Sequence, residues 1–87
     1  MDCIDDWRER IDRIDARILE LLGERARCAI EIGRIKAGEG LDILNQEREK
    51  FILDRLKGMN AGPLDSGAIE RIFGRIIEEC RRTEHLS

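Results

Sequence analysis

The 87-residue sequence predicts an all-α fold of three helices, long, short and medium in chain order, with two copies intertwined in a homodimeric bundle. Three observations carry that reading. Glycine and proline divide the chain into three pieces. A seam of apolar residues at 3-4 spacing runs the length of the first piece. No segment of strand length alternates apolar and polar residues with β-branched enrichment. There is no internal repeat and no low-complexity segment, so residues 1–87 read as a single domain.

The first piece runs from about Asp5 to Lys36. Ile4, Trp7, Ile11, Ile14, Ile18 and Leu21 open its seam, and Arg25, Cys28, Ile32 and Ile35 continue it without a slip. A helix of about 32 residues is roughly 48 Å long, more than a chain of this size covers. A monomer this small also buries only roughly 60–65% of the surface of its unfolded chain. A second copy packed along the seam resolves both problems.

Ala37-Gly38-Glu39-Gly40 is the expected turn. The second helix is predicted from about Asn45 to Lys57, offering Ile52, Leu53 and Leu56, and Gly58 through Pro63 closes it. The third is predicted from Asp65, an N-cap residue type, to about Thr83. Its stripe is Ile69, Ile72, Phe73, Ile76, Ile77 and Cys80.

Composition narrows the function. Charged residues make up 40% of the chain and aromatics 3%, and the net charge is −3, a poor match to nucleic-acid binding. There is no run of 18 apolar residues, and MDCIDDWRER lacks the basic and apolar regions of a signal peptide, so a cytoplasmic location is expected. Cys3, Cys28 and Cys80 are odd in number and scattered. With His85 as the lone histidine they make no metal site, and Cys28 reads as a small buried hydrophobe.

The breaks in the apolar pattern point to chemistry. Arg25 stands on the seam where Ile or Leu belongs, and a desolvated guanidinium requires a partner. Either it reaches out to solvent or to Glu20 or Glu24, or it faces a ligand. Lys36 lies eleven residues on, three turns along the same face and roughly 16 Å away, with Leu22, Ala29 and Ile32 on that side. Arg48 and Glu49 begin the apolar stripe of the second helix. Glu84 prolongs the line of Phe73, Ile77 and Cys80, either as a solvated carboxylate at a frayed end or as a group facing inward. A small polyanion suits this set. No nucleophile–base pair, phosphate loop or metal triad is present, so catalysis here would rest on positioning and electrostatics.

The sequence resembles the all-helical (class II) chorismate mutase family over nearly its whole length. The resemblance lies in W-R-x-x-I-D-x-I-D-x-x-I-L-x-L-L from Trp7 to Leu22 and E-R-A-R-C-A-x-E-I-G-x-I-K from Glu24 to Lys36. It continues in Arg48-Glu49 and in I-F-x-x-I-I-E-x-C from Ile72 to Cys80. It implies a homodimer with two equivalent sites and the Claisen rearrangement of chorismate to prephenate, with no cofactor and no metal. It further implies that Arg8 crosses the dimer to bind a substrate carboxylate, which Arg25 also does within its own chain. Lys36 contacts the ether oxygen and a carboxylate, Arg48 is a further site arginine, and Glu49 accepts from the ring hydroxyl. Glu84 takes the place of a donor to the ether oxygen. The chain departs from the family pattern at Asn45, where many members have Asp, and at Cys80, where Ser is frequent. At position 84 many bacterial members carry Gln, and the fungal type carries Glu. Two alternatives stand beside the mutase. One is an isochorismate-pyruvate lyase on the same scaffold. The other is a non-catalytic dimerisation or ligand-sensing module. The resemblance leaves open an association with another shikimate-pathway enzyme.

Overall fold

A computed structural model describes residues 3–40 and 45–84; His85 lies outside the described residues. Helix α1 spans Ile4–Glu39, α2 spans Gln46–Met59 and α3 spans Ser66–Thr83. The order long, short, medium is the predicted one, and α1 and α2 both run past their expected ends. Ala37 and Gly38 belong to α1, and Gly58 to α2. A glycine inside a helix costs only about 1 kcal/mol relative to alanine, too little to stop either one. The stop for α1 is Gly40, which adopts the left-handed conformation (φ 70°) that glycine takes without steric cost.

Helix starts are set by side chains. The Asn45 side chain accepts from the Arg48 amide at 3.0 Å. Asp65 accepts from the Ala68 amide at 2.7 Å, as its residue type predicted. Each satisfies an amide that has no partner within its helix. At the start of α1, Cys3 supplies no such bond, and Asp5 and Asp6 instead complement the positive helix end. Between α2 and α3, the Asn60 side chain donates to the Leu64 carbonyl at 2.6 Å and accepts from the Gly62 amide at 3.0 Å. Lys57 and Glu70 tie the same two helices together at 2.9 Å.

Helix α3 is the bridge of the fold. It packs against both α1 and α2, whose backbones do not approach one another among the described residues. The buried apolar side chains are few: Ala29, Ile52, Ile77 and Cys80, each 6–9% exposed, one or two from each helix. The N-terminal half of α1 stands clear of this core. Ile4, Trp7, Ile11, Ile14 and Ile18 remain 47–68% exposed along a molecule 55 Å in length. Cys28, expected to be buried, is exposed as well. The seam it belongs to lies largely outside the chain's own core.

Replacing Asp65 with alanine removes the α3 cap without touching the core. It is expected to lower stability by about 1 kcal/mol, read as a lower urea midpoint by circular dichroism at fixed protein concentration. An unchanged midpoint would show that the cap contributes nothing.

Candidate active site

Because α1 and α2 are held apart by α3, a cleft opens between them, with α3 as its floor. Its volume is about 380 Å³, within the range of small-molecule sites. Each helix contributes one face at helical spacing. Arg25, Ala29, Ile32 and Lys36 come from α1; Arg48, Glu49 and Ile52, with the cap residue Asn45, from α2; Ile77, Cys80, Arg81 and Glu84 from α3 and its end. Of the residues singled out in the sequence, Arg25, Lys36, Asn45, Arg48, Glu49, Cys80 and Glu84 therefore line one cleft. Arg8 does not. Its side chain is 72% exposed and lies 3.8 Å from Asp5, about 25 Å along α1 from Arg25. Leu22, expected on the cleft side, lines a separate apolar groove between α1 and α3 with Ile18, Ala26, Ile72 and Ile76.

The cleft carries four cations against two carboxylates, a surplus of two positive charges in a chain whose net charge is −3. Lys36 and Glu84 face each other at 3.9 Å, an ion pair longer than a hydrogen bond, with side chains 20% and 11% exposed. Glu84 is thus an inward group and not a solvated one. Glu49 accepts from Arg81 at 2.7 Å. The Arg48 guanidinium sits 5.3 Å from the Phe51 ring centre, a cation–π contact that leaves its hydrogen-bond donors for other partners. Arg25 forms no ion pair with Glu20 or Glu24; like the others, it borders the cleft. Asn45 uses its side-chain oxygen to cap α2, which fixes Arg48 and Glu49 in the first turn. Cys80 is buried, and its carbonyl accepts from the Thr83 hydroxyl at 2.6 Å.

Two residues that shape the cleft do not stand out in the sequence. Arg81 follows Ile77 by four residues, so it continues the apolar line of α3 in the way Arg25 interrupts that of α1; the same test would have found it. Gly33 leaves no comparable signal. It is buried where α1 meets the end of α3, and a Cβ added there would lie 2.6 Å from the Glu84 carbonyl oxygen and 2.9 Å from the Glu84 Cβ. The absence of a side chain at position 33 lets Glu84 come down beside Lys36, one turn further along α1.

A family model described as chorismate mutase type II matches residues 7–85. The bifunctional chorismate mutase/prephenate dehydratase of Pseudomonas aeruginosa is 39% identical over 82 residues, which cover 88% of this chain and 22% of that protein. A chorismate mutase of Methanocaldococcus jannaschii is 44% identical over 72 residues, 82% of this chain and 73% of that one. Among solved structures, chorismate mutase (Form II) from Thermus thermophilus superposes with a TM-score of 0.93 at 34% identity, covering 94% of this chain and 93% of that chain. The chain spans about a fifth of the length of the bifunctional relatives.

The close approach at Gly33 gives a prediction of opposite signs at two glycines. Gly33→Ala gains helix propensity but drives a methyl group into the Glu84 backbone, and overpacking of this kind costs typically about 1–3 kcal/mol. Gly58, also helical, has open space where a Cβ would stand, with nothing within 4 Å. Gly58→Ala is therefore expected to leave stability unchanged or raise it by up to about 1 kcal/mol. Thermal unfolding of both variants checks this; a Gly33→Ala protein as stable as the parent would remove the steric constraint.

Proposed function

The chain belongs to the type II chorismate mutase family, and on that premise we propose that residues 1–87 catalyse the rearrangement of chorismate to prephenate as a cytoplasmic homodimer, on the route to phenylalanine and tyrosine. The observation that carries the reading is the cleft itself, with its surplus of two positive charges on partly apolar walls. Chorismate bears two carboxylates, so charge and size match.

The reaction breaks the ether C–O bond and forms a C–C bond within one molecule. No proton enters or leaves, so neither a general base nor a nucleophile is required. The protein's work is to hold a compact, chair-like conformer and to stabilise negative charge growing on the ether oxygen. In this reading Arg25 binds a substrate carboxylate, Arg48 adds a second cationic contact, and Lys36 bridges a carboxylate and the ether oxygen. Glu49 accepts from the ring hydroxyl. Asn45 and Cys80 line the substrate, Asn45 through the backbone it caps. Glu84 donates to the ether oxygen, which only its protonated form can do. The approach of Glu84 to Lys36 supports the location of both groups at one point of the cleft.

Dimerisation follows from what one chain leaves uncovered. The exposed stripe Ile4 to Ile18 and the apolar groove of about 630 Å³ between α1 and α3 are complementary in character. A second copy of the long helix running antiparallel brings its Arg8 to the cleft, which Arg8 of the same helix cannot reach. No helix among the described residues is long and apolar enough to cross a membrane. The relatives compared carry the mutase name and lend no support to a lyase or a non-catalytic module.

Incubation of the purified chain with chorismate and, separately, with isochorismate tests the function. Loss of chorismate absorbance with prephenate as product is expected; pyruvate release from isochorismate alone, or no turnover of either compound, refutes it. Complementation tests the shared site. Arg8→Ala and Arg25→Ala proteins, each nearly inactive, are expected to recover roughly one intact site in four when unfolded and refolded together in equal amounts. No recovery argues against a crossing Arg8. Finally, Glu84→Gln keeps a hydrogen-bond donor at the ether oxygen and is expected to hold or raise kcat/KM, whereas Glu84→Ala removes the group and is expected to lower kcat/KM by at least about 10-fold. An unchanged kcat/KM in Glu84→Ala would take Glu84 out of the reaction.

A further inference from the structure

Arg81 is the one cation of the cleft without a role in the scheme above. We propose that it is a positioning residue that acts through Glu49, holding that carboxylate in place for the substrate's ring hydroxyl and away from the cations that bind the substrate's carboxylates. The inference rests on the assignment of Glu49 as the hydroxyl acceptor.

The contact itself is a built one. Arg81 Nη1 donates to Glu49 Oε1 at 2.7 Å across 32 residues of sequence, joining α3 to α2, and the side chains are 33% and 27% exposed. That distance is typical of a charge-assisted bond, and partial burial limits its screening. Arg81 follows Cys80, which is 6% exposed, so its backbone is anchored in the core.

Glu49 requires such an anchor. It lies in the first turn of α2 in a cleft that also holds Arg25, Lys36 and Arg48. A glutamate with free torsions in that company would pair with one of those three, and each pairing would remove a cation from the dianion. Arg81 competes from the floor of the cleft. By occupying Oε1 it leaves Oε2 as an acceptor of fixed position, which is what a neutral hydroxyl needs for orientation. The Arg81–Glu49 pair is neutral as a unit, as is Lys36 with Glu84, so the surplus of two positive charges remains on Arg25 and Arg48. Arg81 is therefore distinct in function from the cations it sits among.

Two other roles are available to an arginine at this position, a direct substrate contact and a simple brace between helices, and a double-mutant cycle separates all three. The proteins are wild type, Arg81→Ala, Glu49→Gln and the double variant, with Arg81→Lys as a rescue. Arg81→Met, which keeps an apolar stem, replaces Arg81→Ala if the latter does not fold. The expected result is a loss of roughly 10- to 100-fold in kcat/KM for Arg81→Ala in the wild-type background, the size of a hydrogen bond to a charged group. In the Glu49→Gln background the same change is expected to cost less than about 3-fold, and Arg81→Lys to restore part of the loss. If Glu49→Gln turns over too slowly to measure, the cycle is read on prephenate binding by calorimetry. Equal losses in both backgrounds, or no loss in the wild-type background, overturn the role of Arg81 while leaving the mutase reading intact. Absence of chorismate turnover by the wild-type protein overturns the mutase reading and the role of Arg81 with it.

Discussion

The arrangement of the cleft depends on one steric condition, the absence of a side chain at Gly33. Helices α1 and α3 meet there closely enough that a single methyl group would strike the backbone of Glu84. That approach fixes where α3 ends relative to Lys36. Because α3 is also the only helix in contact with α2 among the described residues, it fixes α2 as well. A second tie, between Glu49 and Arg81, holds the other side of α3. One contact is a matter of volume and the other of charge, and together with the Lys57–Glu70 pair and the four buried apolar side chains they hold three helices around a space that none of them fills.

The helix ends are defined largely by local contacts. Caps at Asn45 and Asp65 and the left-handed Gly40 set three of the helix ends locally. The tertiary core then orients helices whose ends are already marked, and four small or medium apolar side chains buried below 10% exposure do so. Much of the remaining apolar surface lies on the N-terminal half of α1. A residue such as Ile gains roughly 1.5–3 kcal/mol on full burial, so the exposed stripe represents a stabilisation that the single chain does not realise and the proposed dimer would.

The fold is legible in the sequence because its signals are local. Glycine clusters and one proline mark the breaks, and an unbroken 3-4 seam marks the long helix. Individual glycines are weaker stops than their clusters suggest: Gly38 and Gly58 lie inside helices, since one residue's propensity yields to the turns on either side. Arg25 and Lys36 are legible because a charge in an apolar line is conspicuous. Arg81 meets the same criterion, but it sits within Glu78-Glu79-Cys80-Arg81-Arg82, a run that looks like a solvated helix end. Gly33 is illegible for a deeper reason. Its partner is Glu84, 51 positions away, and a glycine that is required by a neighbour reads in sequence like one that is merely tolerated. Cys28 reads as buried only while its seam is taken for the chain's own core, which it is not. Arg8 carries no signal in spacing alone and enters only through the family resemblance.

The separation of α1 from α2 has a mechanical consequence. The backbones of these two helices do not approach one another among the described residues, and they present Arg25 and Lys36 on one side and Arg48 on the other. Like charges facing across a gap disfavour its closure, and the two carboxylates there, Glu49 and Glu84, offset the four cations only in part. In the proposed reaction a dianion seated between them would supply the span that the polypeptide omits, the keystone of an arch whose pillars are α1 and α2 and whose footing is α3.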